Sequence, residues 1–246
     1  MRCGVVVFPG SNCDHDVYHV LAHVLGQPVR WLWHGEEELG GSELVVLPGG
    51  FSYGDYLRAG AMAALSPVMA AVRRHAEAGG MVLGICNGFQ ILLEAGLLPG
   101  AMRRNADLRF KGMDVHLRVE RSDLPLTRRL RVGQVLRLPI AHAEGNYADT
   151  EQALDELEAN RQVVFRYCTA DGVVCAEANP NGSERGIAGI VNRAANVFAL
   201  MPHPERAAED VLGNRDGLAL FEGLLAGIAE REPERASRVT AVELRT

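Results

Sequence analysis

Residues 81–90 read Met81-Val82-Leu83-Gly84-Ile85-Cys86-Asn87-Gly88-Phe89-Gln90. A short apolar run enters this stretch and a helix-like Gln90-Ile91-Leu92-Leu93-Glu94 leaves it, which predicts a strand, a sharp turn and a helix in succession. Cys86 stands at the apex with a glycine two residues to either side. Small flanking residues allow a strained turn to push a nucleophile out above a sheet, the arrangement of a nucleophile elbow. At a helix N-terminus, exposed N–H groups favour thiolate over thiol. Most cysteines instead pack as small buried hydrophobes. The paired glycines and the switch from strand to helix favour the nucleophile.

Working outward, the first half alternates strand and helix signals. Residues 5–8 read as a buried strand and 29–33 and 44–47 as a second and a third strand, and the spacing of Val17, Leu21, Val24 and Leu25 predicts a helix over 14–25, stopped by Gly26. Ser66 and Pro67 offer an N-cap and a first-turn proline for a helix that runs to Ala78, just before the strand feeding Cys86. Such alternation predicts a three-layer α/β fold, a doubly wound and mostly parallel sheet flanked by helices. Sites in these sheets form at the carboxyl ends of strands, where Cys86 and the Pro48-Gly49-Gly50 loop both lie. The second half is richer in strands, at 115–119, 135–138, 163–168, 173–176, 187–191 and 197–201. One helix is expected over 150–160 and a closing one from 216 to about 229. No linker or internal repeat divides the chain. It reads as one domain over 1–230, with a charged tail over 231–246 that is frayed or docks to a partner.

Composition sets limits. At 246 residues, with 48% hydrophobic and 23% charged side chains, the chain is an ordinary globular protein with room for a sizeable core. A net charge of -6 without a basic stripe argues against a nucleic-acid partner. No apolar stretch approaches the ~18 residues of a membrane span, and the N-terminal run is too short for a signal peptide, so a cytoplasmic protein is expected. The five cysteines include no C-x-x-C pair, which fits reduced thiols rather than a disulfide framework or a zinc site.

A cysteine nucleophile needs a base, and the base needs an orienting group. His15, His19 and His23 share a helix face, but no further ligand completes a metal site, so they read as a half-exposed surface. His203 differs: it follows a strand in Met201-Pro202-His203-Pro204-Glu205. Its two prolines suggest an extended, stiff segment in which Glu205 projects on the side of His203 and accepts the imidazole N–H. Cys86, His203 and Glu205 therefore form a candidate triad. The amide of Asn87, next to the nucleophile, and an amide of the Gly49-Gly50 loop are candidate oxyanion donors.

Taken together, the Pro-Gly-Gly loop, the G-x-C-x-G-x-Q elbow and the His-Pro-Glu after the last strand resemble the class I (triad-type) glutamine amidotransferases. More narrowly, the chain is similar to the glutaminase subunits of phosphoribosylformylglycinamidine synthase, from de novo purine synthesis. The similarity runs from Gly4 to the Ala207 region. It rests on Pro9-Gly10-Ser11-Asn12-Cys13-Asp14, on the segment from Leu47 to Ala61, on Asn87 and Phe89 in the elbow, on Pro139 to Tyr147, and on Asn179 to Ser183. The resemblance implies that Cys86 attacks the side-chain amide of L-glutamine, that His203, oriented by Glu205, protonates the departing ammonia, and that water hydrolyses the thioester. It also implies oxyanion amides at Gly50 and Asn87, Phe51 and Gln90 near the bound glutamine, and Glu144 for the substrate's ammonium. No cofactor is implied in this chain. ATP and Mg belong to a large synthetase subunit that receives the ammonia, and a small third subunit bridges the two. Competing readings are a triad glutaminase of another synthase, a cysteine hydrolase on a similar sheet, and an inactive scaffold. The Phe51–Ala61 stretch opposes the first, Glu205 and the Gly49-Gly50 loop the second, and the complete triad the third.

Overall fold

Short β-branched runs pair as the sequence predicts in the computed structural model, which describes residues 1–243 and, over 231–243, the main chain alone. In chain order the elements are β1 (Cys3–Val7), α1 (Asp14–His19), β2 (Val29–Trp33), β3 (Leu44–Leu47), α2 (Ala61–Ala64), α3 (Pro67–Glu77), β4 (Met81–Ile85) and α4 (Asn87–Glu94). There follow β5 (Ala101–Arg103), β6 (Lys111–Val119), β7 (Val135–His142), β8 (Asn146–Ala148), α5 (Glu151–Ala159), β9 (Val163–Cys168), β10 (Ile187–Val191), β11 (Val197–Leu200) and α6 (Leu218–Glu243).

Nine strands make one sheet in the order β2-β1-β3-β4-β11-β10-β9-β6-β7, flanked by helices, while β5 and β8 form a separate ribbon. Pairing is parallel from β2 across to β11 and antiparallel from β11 to β7. The central strands are covered on both faces: every residue of β3, β4, β10 and β11 is buried. Uninterrupted apolar runs such as Leu44-Val45-Val46-Leu47 are what a strand buried on both faces requires. In the middle of the sheet Val82 pairs with Val197 and Ile85 with Leu200. That register brings the carboxyl ends of β4 and β11 out level with each other.

Cys86 follows β4 with φ 51° and ψ −105°, and α4 starts at the next residue. This strained backbone turns the chain from strand to helix in one residue. Gly88 makes the turn possible, because a Cβ there would lie 1.9 Å from the Leu47 carbonyl oxygen. α4 therefore packs main chain to main chain against the end of β3, and its Phe89, Ile91 and Leu92 are fully buried behind the elbow.

Four expectations are corrected. Residues 173–176 do not form a strand. Both edges of β9 are already taken, by β6 and β10, so the chain leaving the Asp171-Gly172 turn finds no free edge and coils into a 3₁₀ turn at Ala176–Ala178. Ser66 occupies the N-cap position of α3 without capping it through its side chain; its hydroxyl meets the Tyr53 hydroxyl at 3.1 Å instead. The first helix changes at Val20 into a π-helical turn, Val20–Val24. The closing helix does not stop near Ala229: its main chain continues to Glu243 through a segment rich in Glu, Arg and Ala, all good helix formers. Of the tail expected over 231–246, residues 244–246 and every side chain past Glu230 lie outside the described residues. β5, β8 and α2 are additions that the sequence pattern did not indicate.

Candidate active site

Cys86 crowns the end of β4, is 4% exposed, and directs its sulfur toward the Ala141 carbonyl oxygen at 3.9 Å. His203 lies just beyond β11, the neighbouring strand. Its Nδ1 donates to Glu205 Oε1 at 2.6 Å, with both residues buried. The pair arises differently from the extended segment expected. Pro204–Arg206 is a 3₁₀ turn, and this turn, rather than strand alternation, carries the carboxylate back to the imidazole. Three-residue 3₁₀ turns bring nearby side chains together, and proline at the first position stiffens this one.

Burial pulls the His203 imidazole down, but Glu205 and Cys86 outweigh it and hold the group well above the usual histidine value. His203 Nε2 is buried and makes no hydrogen bond. With Nδ1 committed to the carboxylate, Nε2 is the nitrogen left to exchange protons on the Cys86 side. Gly49 floors the imidazole: a Cβ there would meet His203 Cε1 at 2.6 Å and Cys13 Sγ at 3.3 Å.

The two expected oxyanion donors lie at the start of α4 and in the loop after β3. Among the described residues, neither the Asn87 nor the Gly50 amide has a hydrogen-bond acceptor, whereas the Phe51 amide is spent on Gly10 O at 3.2 Å. The Asn87 side chain ties the two regions together. Its Oδ1 accepts from the Ser52 amide at 3.0 Å, and its Nδ2 donates to Gln90 Oε1 at 2.8 Å and Asp55 Oδ1 at 3.3 Å. Gln90 in turn donates to the Glu144 carbonyl at 2.6 Å. Gln90 is buried with both ends of its amide engaged inside the protein, so it fixes the wall of the site. Phe51 is 44% exposed at the rim. His142, in the same wall, is pushed down to about 3 by burial and by His203, and so stays neutral. Its Nε2 accepts from Asn181 Nδ2 at 3.1 Å. His15, His19 and His23 lie away from the site on an exposed face, where His19 pairs with Glu209 at 2.7 Å.

Sequence reasoning missed Asp55, Cys13 and Arg206. All three stand inside or beside the quoted motif runs, but none repeats at a spacing that would announce a role. Asp55 closes a run of three left-handed residues, Tyr53, Gly54 and Asp55, with φ of 54°, 69° and 52°. The run is pinned by the Tyr53 hydroxyl on His34 Nδ1 at 2.8 Å. Burial, then the nearby Glu144 carboxylate, lift Asp55 to about 6 against hydrogen bonds from Asn87 and the Gly60 amide. A carboxyl that holds its proton more tightly folded than unfolded favours folding at low pH, and that contribution is lost as pH rises from about 4 through about 6. Asp55→Asn keeps an acceptor for both donors and tolerates the positive φ. We expect it to stabilise the fold by about 1 kcal/mol above pH ~7, a figure discounted for half-exposure, and by nothing below pH ~4. Thermal midpoints measured across that range check this; a gain that persists unchanged at the acid end would contradict it.

This sheet, with a thiol elbow at its centre, is the architecture of the class I glutamine amidotransferases. A CobB/CobQ-like glutamine amidotransferase domain is recognised over residues 1–216. Phosphoribosylformylglycinamidine synthase subunit PurQ of Gloeobacter violaceus is 60% identical over 226 residues, covering 92% of this chain and 97% of that protein. The subunit of the same description from Moorella thermoacetica is 59% identical over 225 residues, covering 92% and 95%. In a solved structure of PurLQS from Thermotoga maritima, one chain matches with a TM-score of 0.82 at 42% identity, over 92% of this chain and 98% of that one. The chain belongs to the CobB/CobQ-like glutamine amidotransferases and, within them, to the family of phosphoribosylformylglycinamidine synthase PurQ subunits. No helix among the described residues is long and apolar enough to cross a membrane.

Proposed function

We propose that this chain is the glutaminase subunit of a phosphoribosylformylglycinamidine synthase, and that Cys86, His203 and Glu205 carry its chemistry. The Cys86 thiolate attacks the side-chain carbonyl carbon of glutamine. The negative charge that develops on oxygen is met by the free amides of Gly50 and Asn87. The His203 imidazolium, held in tautomer and orientation by Glu205, gives its Nε2 proton to the departing nitrogen, and ammonia leaves with a γ-glutamyl thioester on Cys86. Water then attacks the thioester, His203 takes a proton from it, and glutamate is released with the thiolate restored. Phe51 and Gln90 border the bound glutamine, and Glu144, beside Asp55, faces its ammonium.

The ammonia passes to a large synthetase subunit. That partner binds ATP and Mg and converts formylglycinamide ribonucleotide to the amidine, and a small third subunit bridges the two. The cytoplasm is the compartment we assign, in keeping with the free cysteines Cys3, Cys13, Cys86, Cys168 and Cys175. The observation that carries this reading is the buried His203–Glu205 pair, bonded at 2.6 Å, just beyond the strand that pairs with the one presenting Cys86. Mixing the chain with its cognate synthetase and assaying amidine formation tests it. Glutamine should support the reaction only when both are present, while ammonium salts should support it with the synthetase alone. Amidine formation from glutamine without this chain, or none with it, would count against the proposal.

A further inference from the structure

Glu205 is 2% exposed, and one of its carboxylate oxygens, Oε2, has no hydrogen-bond partner. The next residue is Arg206, whose guanidinium is close enough to Glu205 to feel its charge. Arginine and a carboxylate form strong two-point pairs, and a buried acceptor left empty is costly. The expected outcome is therefore an Arg206–Glu205 pair, which the structure does not contain. Arg206 instead donates from Nη2 to Cys13 Sγ at 3.0 Å and from Nε to Asp16 Oδ2 at 3.2 Å.

Cys13 is 3% exposed, and its sulfur lies within 4.8 Å of donor atoms of both His203 and Glu205. Its main chain is fixed as well, with its amide on Gly49 O at 3.2 Å and its carbonyl accepting from Val17. A Cys, His and Glu so grouped resemble a set of metal ligands, but a guanidinium 3.0 Å from the sulfur puts positive charge where an ion would sit.

We infer that Cys13 is a positioning residue: its sulfur holds the Arg206 guanidinium off Glu205, so that the carboxylate stays committed to His203. The inference rests on the proposed triad. Without the sulfur, Arg206 turns to Glu205 Oε2, the carboxylate's charge is shared, and the imidazole loses the partner that fixes its tautomer. Nothing in this role touches glutamine, so the effect falls on turnover rather than on substrate affinity.

The test is a double-mutant cycle in the assembled synthase, with glutamine-dependent amidine formation as the readout and the ammonia-dependent rate as the internal control. Cys13→Ala is expected to lower kcat about 10²-fold, with KM for glutamine within about twofold. Cys13→Ser, which retains an acceptor for Arg206, should stay within about fivefold of the parent. The informative variant is Cys13→Ala combined with Arg206→Met. Removing the competing cation should restore kcat to within about tenfold of the parent, a coupling that a simple packing defect would not give. A Cys13→Ala protein with parental kcat overturns the inference, as does a double variant as slow as the single one. If Cys13→Ala alone fails to fold, the comparison is made in the Arg206→Met background. There the same substitution should cost less than about twofold, and a tenfold cost would overturn the inference. Cys86→Ala run in parallel tests the underlying triad: turnover of glutamine by that variant would remove the triad itself, whatever Cys13 does.

Discussion

Replacing Cys86 by alanine is expected to lower glutamine-dependent amidine formation by at least about 10⁴-fold while leaving ammonia-dependent synthesis by the same complex intact. The size follows from chemistry. Without the sulfur no thioester forms, and a water directed by His203 alone recovers little of the rate that covalent catalysis supplies. The substitution is also structurally mild. Cys86 is buried with φ 51°, and alanine meets the same backbone strain as cysteine with one atom fewer to place. The control matters because ammonia supplied from solution bypasses this chain, so an intact ammonia rate shows that the synthetase remains active and that the loss is confined to the use of glutamine. A variant that still turned over glutamine at a tenth of the parental rate would remove Cys86 as nucleophile.

Glu205→Gln should be nearly as damaging, although it preserves shape. Its carboxylate accepts from His203 Nδ1 at 2.6 Å and fixes the tautomer that leaves Nε2, which has no hydrogen-bond partner, to exchange protons. Glutamine can turn an N–H toward Nδ1, which forces the proton onto Nε2, the wrong nitrogen for a base. Loss of the correct tautomer in triads of this kind costs about 10³–10⁴-fold in kcat. KM for glutamine should stay near the parental value, because the change lies behind the imidazole.

Stability carries a second signature of the same substitution. His203 is raised above its unfolded value, so its contribution is fully present below pH ~6.5 and is lost as pH rises through the elevated folded value. The deficit of Glu205→Gln relative to the parent should therefore be largest in acid and shrink in alkali. Denaturant midpoints at several pH values would show it, and a deficit independent of pH would deny that charge is the cause.

Most of the architecture is legible because the central strands are buried on both faces and therefore appear as unbroken apolar runs. Leu44–Leu47 matches its expected limits for that reason, while Val29–Trp33, an edge strand in which only Leu32 is buried, and Val163–Cys168, interrupted by Arg166, match through their β-branched and aromatic content. The failures have equally local causes. Residues 173–176 have the composition of a strand, but composition cannot say that both edges of β9 are occupied. β5 and β8 are three residues long, too short for alternation to register. Of the site, the elbow and the His203–Glu205 pair could be read, because glycine and proline punctuate the chain around them. The manner of pairing could not: alternation suggested an extended strand where a 3₁₀ turn does the work. Cys13 and Asp55 escaped because their roles depend on neighbours that only folding supplies, Arg206 in one case and Asn87 with Glu144 in the other.

The level ends of β4 and β11 bear on the order of events during synthesis. The pairing of Val82 with Val197 joins stretches separated by nearly half the chain, and contacts of such long range form late, after the entropy of loop closure has been met. On the ribosome the thiol elbow emerges first, while the histidine that would serve it is still untranslated. A nascent or truncated chain thus carries a cysteine without a base. With the proposed triad, ammonia release begins only when the last strand of the sheet has slotted in beside β4, so half-made copies cannot hydrolyse glutamine.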